Sequence, residues 1–128
     1  MASARVARLA TCGADGRPHA VPIAFAFRDG VLYSAVDAKP KRSEDLKRLR
    51  NIEARPEVCV LVDHYSEDWS RLWWCRLEGT ARVVRQGAER ERGLALLGEK
   101  YPQYREEPPP GPVIVVEVRR ATGWAASG

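Results

Sequence analysis

Cysteine is scarce in this chain of 128 residues: Cys12, Cys59 and Cys75 stand far apart, and no CxxC pair occurs. An odd, scattered set gives neither a disulfide framework nor a zinc site, and reduced thiols in the cytoplasm are the simple expectation. Histidine is scarcer still, with only His19 and His64. Asp63 and His64 have no further ligands at metal spacing, so both histidines are expected to be structural. No GxSxG elbow presents a nucleophilic serine, and no pair of carboxylates stands at a distinctive spacing. GxGxxG and GxxxxGK(S/T) are both missing, which argues against a Rossmann or P-loop nucleotide site. No apolar run approaches the ~20 residues of a membrane span, and no signal peptide is visible. With nucleophile, metal and acid–base pair all wanting, any chemistry has to come from a cofactor.

What is present is a foldable core. Hydrophobic residues make up 45% of the chain and charged residues 30%, so disorder is not the default. The length suits one compact domain, residues 1–128. The net charge of +4, from 21 basic and 17 acidic residues, is mildly basic. It fits an anionic small ligand and does not demand nucleic acid.

The chain reads as short strands punctuated by turns. Arg5 to Thr11 precedes Gly13-Ala14-Asp15-Gly16, a strong turn signal, and is expected to be a strand. Pro18 to Phe27 is the clearest strand, with Val21, Ile23, Phe25 and Phe27 on one face and Ala20, Pro22, Ala24 and Ala26 on the other. A face so bare suits either a bulky neighbouring element or a planar ring lying close to the backbone. Pro22 cannot donate to a ladder, which puts the strand at an edge or a bulge there. Arg28-Asp29-Gly30 turns the chain into Val31 to Val36, so the first strands form an antiparallel meander.

Lys39, Lys41 and Arg42 then stand just before Ser43, a good N-cap, with Glu44 and Asp45 in the first turn of a helix expected over Ser43 to Ala54. Two readings fit this loop. It is a solvated basic loop that ends a strand and caps a helix, or it is an anion cradle, because free backbone N–H groups at a helix start attract an anion. A nucleic-acid surface along Lys39 to Arg55 is the weaker alternative, since Leu46 and Leu49 interrupt the run and belong to a core.

Glu57 to Tyr65 is apolar on both faces and predicts a central strand. Leu72 to Arg85 predicts one long strand bent near Gly79, with Trp73 and Trp74 on opposite faces. One tryptophan belongs in a core, and the other needs a ligand or a second subunit to cover it. Gly87 to Tyr101 predicts a second helix, Pro102 to Pro112 a proline-rich loop, Val113 to Val118 a last strand, and Gly123-Trp124 the start of a tail. Six or so antiparallel strands with two helices make a mainly β, α+β molecule built as a small barrel.

Several of these pieces, taken together, resemble a known family. They are Arg5-Val-Ala-Arg-Leu-Ala-Thr11, Asp15-Gly-Arg-Pro-His19 with Pro22, and Tyr33-Ser-Ala-Val-Asp-Ala-Lys-Pro-Lys-Arg42. The chain resembles the pyridoxamine 5′-phosphate oxidase-like, FMN-binding split-barrel superfamily. Leu49-Arg-Asn-Ile52, Val62-Asp-His-Tyr65, Asp68-Trp-Ser-Arg-Leu-Trp-Trp74 and Lys100-Tyr-Pro-Gln-Tyr104 look like its flavin/deazaflavin oxidoreductase branch, which uses coenzyme F420. The resemblance implies a six-stranded antiparallel split β-barrel with two or more flanking helices, and a homodimer with two cofactor sites at the subunit interface. It implies an oxidoreductase that moves hydride between coenzyme F420 or FMN and a small-molecule acceptor, with a non-enzymatic FMN, coenzyme F420 or haem carrier as the alternative. Tyr33, Ser34, Ala35 and Val36 match the strand that lines the ring, and Lys39, Lys41 and Arg42 match the cluster that holds the cofactor phosphate. Thr11 and Pro22 match positions facing the ring, and Trp73, Trp74 and Arg76 fall where the second subunit closes the site. The extension that grips pyridoxal phosphate in true pyridoxamine phosphate oxidases and the leading helix of many relatives are both expected to be missing.

Overall fold

A computed structural model describes residues 1–36 and 43–127. Its strands are β1 (Ala7–Cys12), β2 (Pro18–Ile23), β3 (Ala26–Arg28), β4 (Val31–Ala35), β5 (Glu57–His64), β6 (Trp73–Val84) and β7 (Val113–Ala125). The helices are α1 (Ser43–Ala54), α2 (Ala88–Lys100) and α3 (Pro102–Glu106), with a single 3-10 turn at Trp69–Arg71. Seven strands stand where six were expected, because the stretch 18–27 is not one strand. β2 pairs with β1 and β3 pairs with β4, and the chain steps from one to the other at Ala24 and Phe25.

That step makes the barrel. All seven strands form one antiparallel sheet in the order β2-β1-β5-β6-β7-β4-β3. Its two edge strands are consecutive in the chain, so the sheet has to curl until its edges approach. Pro22 sits on the edge strand β2, as a residue without an N–H must. The turn at Asp29 and Gly30 has φ of 53° and 78°, the left-handed pair that matches the twist of a tight hairpin.

The seam is tied from α2. The Tyr101 hydroxyl accepts from the Phe25 N–H at 3.1 Å and shares its proton between the carbonyls of Arg5 and Phe25. Lys100 Nζ donates to the Phe25 carbonyl at 2.8 Å and sits 3.6 Å from the centre of the Phe25 ring.

The interior is filled from every wall. Ala7 and Leu9 of β1, Leu32 of β4, Val58, Val60 and Val62 of β5, Leu77 of β6, and Ile114 and Val116 of β7 pack with Phe25. Helix α1 adds Leu49 and Ile52, and Asn51 Nδ2 donates to the buried Thr11 hydroxyl at 3.1 Å. A second cluster lies outside the barrel, where Leu97 of α2 covers Tyr33, Ala35, Val113 and Val115. A Cβ on Gly93 would meet Tyr33 Cδ1 at 2.8 Å and Val113 Cγ1 at 3.0 Å, so glycine is what lets the helix lie this close.

Three further expectations change. The proline-rich segment after Tyr101 contains α3, which opens with Pro102 in the first turn. The last strand does not stop at Val118: β7 runs on to Ala125 beside β6, and Trp124 pairs with Trp74 instead of starting a tail. β5 is central, yet only one of its faces is buried. Val58, Val60 and Val62 point inward, while on the outer face Cys59 is half-buried and Leu61 is exposed. Apolar character on both faces of a strand signals two contacts, and the second one is not made among the described residues.

Candidate functional site

Among the described residues, no helix covers the outer face of β2, β1, β5, β6 and the far half of β7. The register sets out its rows. Ala20, Ala10, Cys59, Glu78 and Arg120 lie side by side across the five strands. Pro22, Arg8, Leu61, Arg76 and Thr122 form the next row. Asp63, Trp74 and Trp124 form the last. Where the side chains are small, at Ala10, Cys12, Cys59 and Gly79, the surface sinks into an open cavity of about 660 Å³. Its rim carries Arg76, Arg119, Arg120 and Thr80, with Glu57 and Glu78 as the acidic members.

A second hollow of about 420 Å³ adjoins it at the ends of β5, β6 and β7. Trp73, Trp74, Trp124, Tyr65, His64, Leu61 and Leu72 give it an aromatic and aliphatic lining. His64 and Trp73 stack with ring centres 6.2 Å apart. Arg76 belongs to both hollows, and its guanidinium lies 5.4 Å from the centre of the Trp74 ring. Its Nε stands 3.2 Å from Glu78 Oε1, but this buried atom makes no hydrogen bond. The contact is therefore an ion pair without donor geometry, the weaker of the two descriptions.

Electrostatics favour an anion on this face and leave the Cys59 thiol quiet. Burial, reinforced by the neighbouring Glu78 and opposed by Arg76, pushes the Cys59 thiol above its usual range, so it stays protonated near neutrality. A small, uncharged floor with arginines around it can take a flat ring bearing anionic groups. Among the described residues no group of three or more histidine, cysteine or carboxylate side chains could hold a metal ion.

The predicted site residues separate into groups. Trp73, Trp74 and Arg76 come together at the aromatic hollow. Thr11 lines the larger cavity through its strand, but its side chain turns inward to Asn51. Pro22 is exposed on the edge of the same face. Tyr33, Ser34, Ala35 and Val36 are all buried: Tyr33 and Ala35 lie under α2, Val36 is in the interior, and the Ser34 hydroxyl donates to the Ala24 carbonyl at 2.9 Å. None of these four lines either hollow. Lys39, Lys41 and Arg42 lie outside the described residues.

Sequence reasoning missed Ala10, Cys12, Cys59, Thr80, Arg119, Arg120 and Trp124. A signal existed for some of them. Ala10 and Cys12 alternate with Leu9 and Thr11 along β1, a shorter form of the bare-face pattern read on the next strand at Ala20 and Pro22, whereas Cys59 stands between Glu57 and Leu61 on its face and carries no such signal.

The sequence profile described as pyridoxamine 5′-phosphate oxidase matches residues 1–125. No curated protein matches the chain. Among solved structures, a conserved hypothetical protein of Mycobacterium tuberculosis superposes with a TM-score of 0.77 at 23% identity, over 97% of this chain and 79% of its own. A FAD-binding protein of Mesorhizobium loti gives a TM-score of 0.71 at 21% identity, over 95% of this chain and 86% of its own. HutZ, the haem storage protein of Vibrio cholerae, gives 0.71 at 15% identity, over 94% and 85%. At these identities the likeness is one of fold.

Proposed function

The chain belongs to the pyridoxamine 5′-phosphate oxidase family, and from that premise we propose that it is an oxidoreductase dependent on coenzyme F420 or FMN. It transfers hydride between the cofactor ring and a small-molecule acceptor. The observation that carries this reading is the 660 Å³ cavity, with its floor of Ala10, Cys12, Cys59 and Gly79 and its arginine rim. Small side chains let a flat tricycle approach the strands, and cations near it match an anionic side chain. Bound there, the cofactor supplies a ring that accepts and donates hydride. The chain's part is to hold the ring flat against the strands, keep water from that side of it with the floor of the cavity, and bind its charge. Lys39, Lys41 and Arg42 are the proposed phosphate ligands, on the strength of their spacing before Ser43. The Mesorhizobium loti FAD-binding protein supports a flavin site on this fold.

The same face supports a homodimer. Leu61 and Trp124 are 36% and 51% exposed beside the half-buried Trp74, an apolar surface that a second copy would cover. The cofactor would then lie between the two copies. The three free cysteines suit a reducing, cytoplasmic setting.

Titration of the purified protein with coenzyme F420 and with FMN tests the reading. Micromolar binding of either is expected, and binding of neither at millimolar concentration overturns it. Lys39→Ala with Arg42→Ala should weaken FMN more than tenfold, since each charge-assisted contact contributes about 1.5–3 kcal/mol. Light scattering should give a dimer that Trp124→Asp splits.

A haem carrier is the second reading, favoured by the likeness to HutZ and by His64 standing exposed against Trp73 in the aromatic hollow. Haemin should then give a Soret band that His64→Ala abolishes, and the protein should bind cofactor without steady-state turnover.

A further inference from the structure

Consecutive residues of a strand point to opposite faces, yet Arg119 and Arg120 both line the larger cavity. The register explains it. Glu78 pairs with Arg120, and the next residue, Gly79, pairs with Val118, so Arg119 is left without a partner on β6. One extra residue in a strand bends it and re-aims a side chain, and here it brings two neighbouring arginines to one side. Gly79 makes the close approach possible, because a Cβ on it would lie 2.1 Å from the Glu117 carbonyl oxygen.

Neither arginine is spent on the protein. Among the described residues, the Arg120 side chain makes no hydrogen bond or ion pair, and the Arg119 side chain makes only a long donation of 3.4 Å to Thr80 Oγ1. Arg28, Arg76, Arg82 and Arg85 each have a carboxylate within salt-bridge range. The two acids of the cavity are Glu57 on β5 and Glu78 on β6, and Glu78 is taken by Arg76. Two adjacent free guanidinium forks are suited to an oxyanion.

We propose that Arg119 and Arg120, with the Thr80 hydroxyl, form an oxyanion subsite for a phosphoryl or carboxylate group of the ligand that fills this cavity. This rests on the reading of the cavity as the cofactor site.

Calorimetric titration of the full chain at low salt with inorganic pyrophosphate and with citrate is the test, the two probes separating phosphoryl from carboxylate preference. Wild-type protein is expected to bind at least one of them. Arg119→Gln with Arg120→Gln should weaken that probe by about tenfold or more, with an unchanged melting curve, while Arg85→Gln should have no effect. Binding of neither probe by wild-type protein overturns the subsite. So does full affinity in the double variant, or loss only in Lys39→Ala with Arg42→Ala. Flavin titrations of the same proteins separate the two ideas. Pyrophosphate binding without flavin binding leaves the subsite and sinks the cofactor reading, and flavin binding with an intact double-variant anion affinity does the reverse.

Discussion

The two halves of β7 lie in one strand and have different fates. From Val113 to Val116 every residue is fully buried, because the barrel interior takes one face and α2 takes the other. Beyond Glu117, whose carboxylate pairs with Arg82, no helix among the described residues covers the outer face, which carries Arg120, Thr122 and Trp124. Both halves hydrogen-bond to β6 along their length, so the ladder is not what differs. What differs is the second layer. Where the chain supplies its own cover, the strand is uniformly β-branched. Where it does not, small residues, two arginines and a tryptophan appear, the composition of a surface meant for a ligand or a partner.

Mutations can break this contrast in order of size. Leu97→Ala removes the fully buried centre of the covered face and should cost about 2–5 kcal/mol in denaturant unfolding, whereas Leu61→Ala on the uncovered face should stay within about 0.5 kcal/mol. Equal costs would mean that the uncovered face is structural after all. Asn51→Ala leaves the buried Thr11 hydroxyl without its donor, on the interior side of the strand whose other side floors the cavity. A loss of about 1–3 kcal/mol is expected from the same measurement. Ala10→Leu should hardly move the melting temperature, because Ala10 is exposed, yet it should weaken flavin binding at least tenfold by filling the floor, about 1.4 kcal/mol. A stable variant with unchanged affinity would move the ring elsewhere.

The smallest effect is one of pH, at the seam. Burial, with Arg5 nearby, lowers the Lys100 amine from 10.5 to about 8, although the Phe25 ring and carbonyl favour its charged form. Between those values the unfolded chain holds the proton and the folded chain does not, so raising the pH favours the folded state. Stability should therefore climb modestly from about pH 8 toward 10, with solvent screening holding it small. Tyr101, whose hydroxyl is raised by burial, turns the trend down above its usual value of 10.0. Lys100→Met should flatten the rise in pH-dependent unfolding curves.

Much of the fold was legible because its signals are local. Gly13 to Gly16 and Arg28 to Gly30 announce turns by composition, Ser43 and Pro56 bracket a helix, and Gly79 marks a bend that is in fact a bulge. The break at Ala24 and Phe25 was not legible, because alternation continues straight through it. α3 hides in a proline-rich run whose first proline suits a helix start. For the candidate site, the aromatic half was readable from Trp73-Trp74, since one strand cannot bury both on one side. The arginine pair was not, because strand geometry assigns neighbours to opposite faces until a bulge says otherwise.

By itself, then, the sequence determined the turns, most of the strands, the helix after the basic loop, and the need for something beyond the chain to cover an aromatic surface. Those follow from short-range sterics and from hydrophobic period. Tertiary structure alone decided which edges meet, that α2 covers one outer face and leaves the other bare, and that Arg119 joins Arg120 on the cavity rim. Each of these depends on pairing register between residues distant in the chain, and register is fixed only when the whole sheet closes.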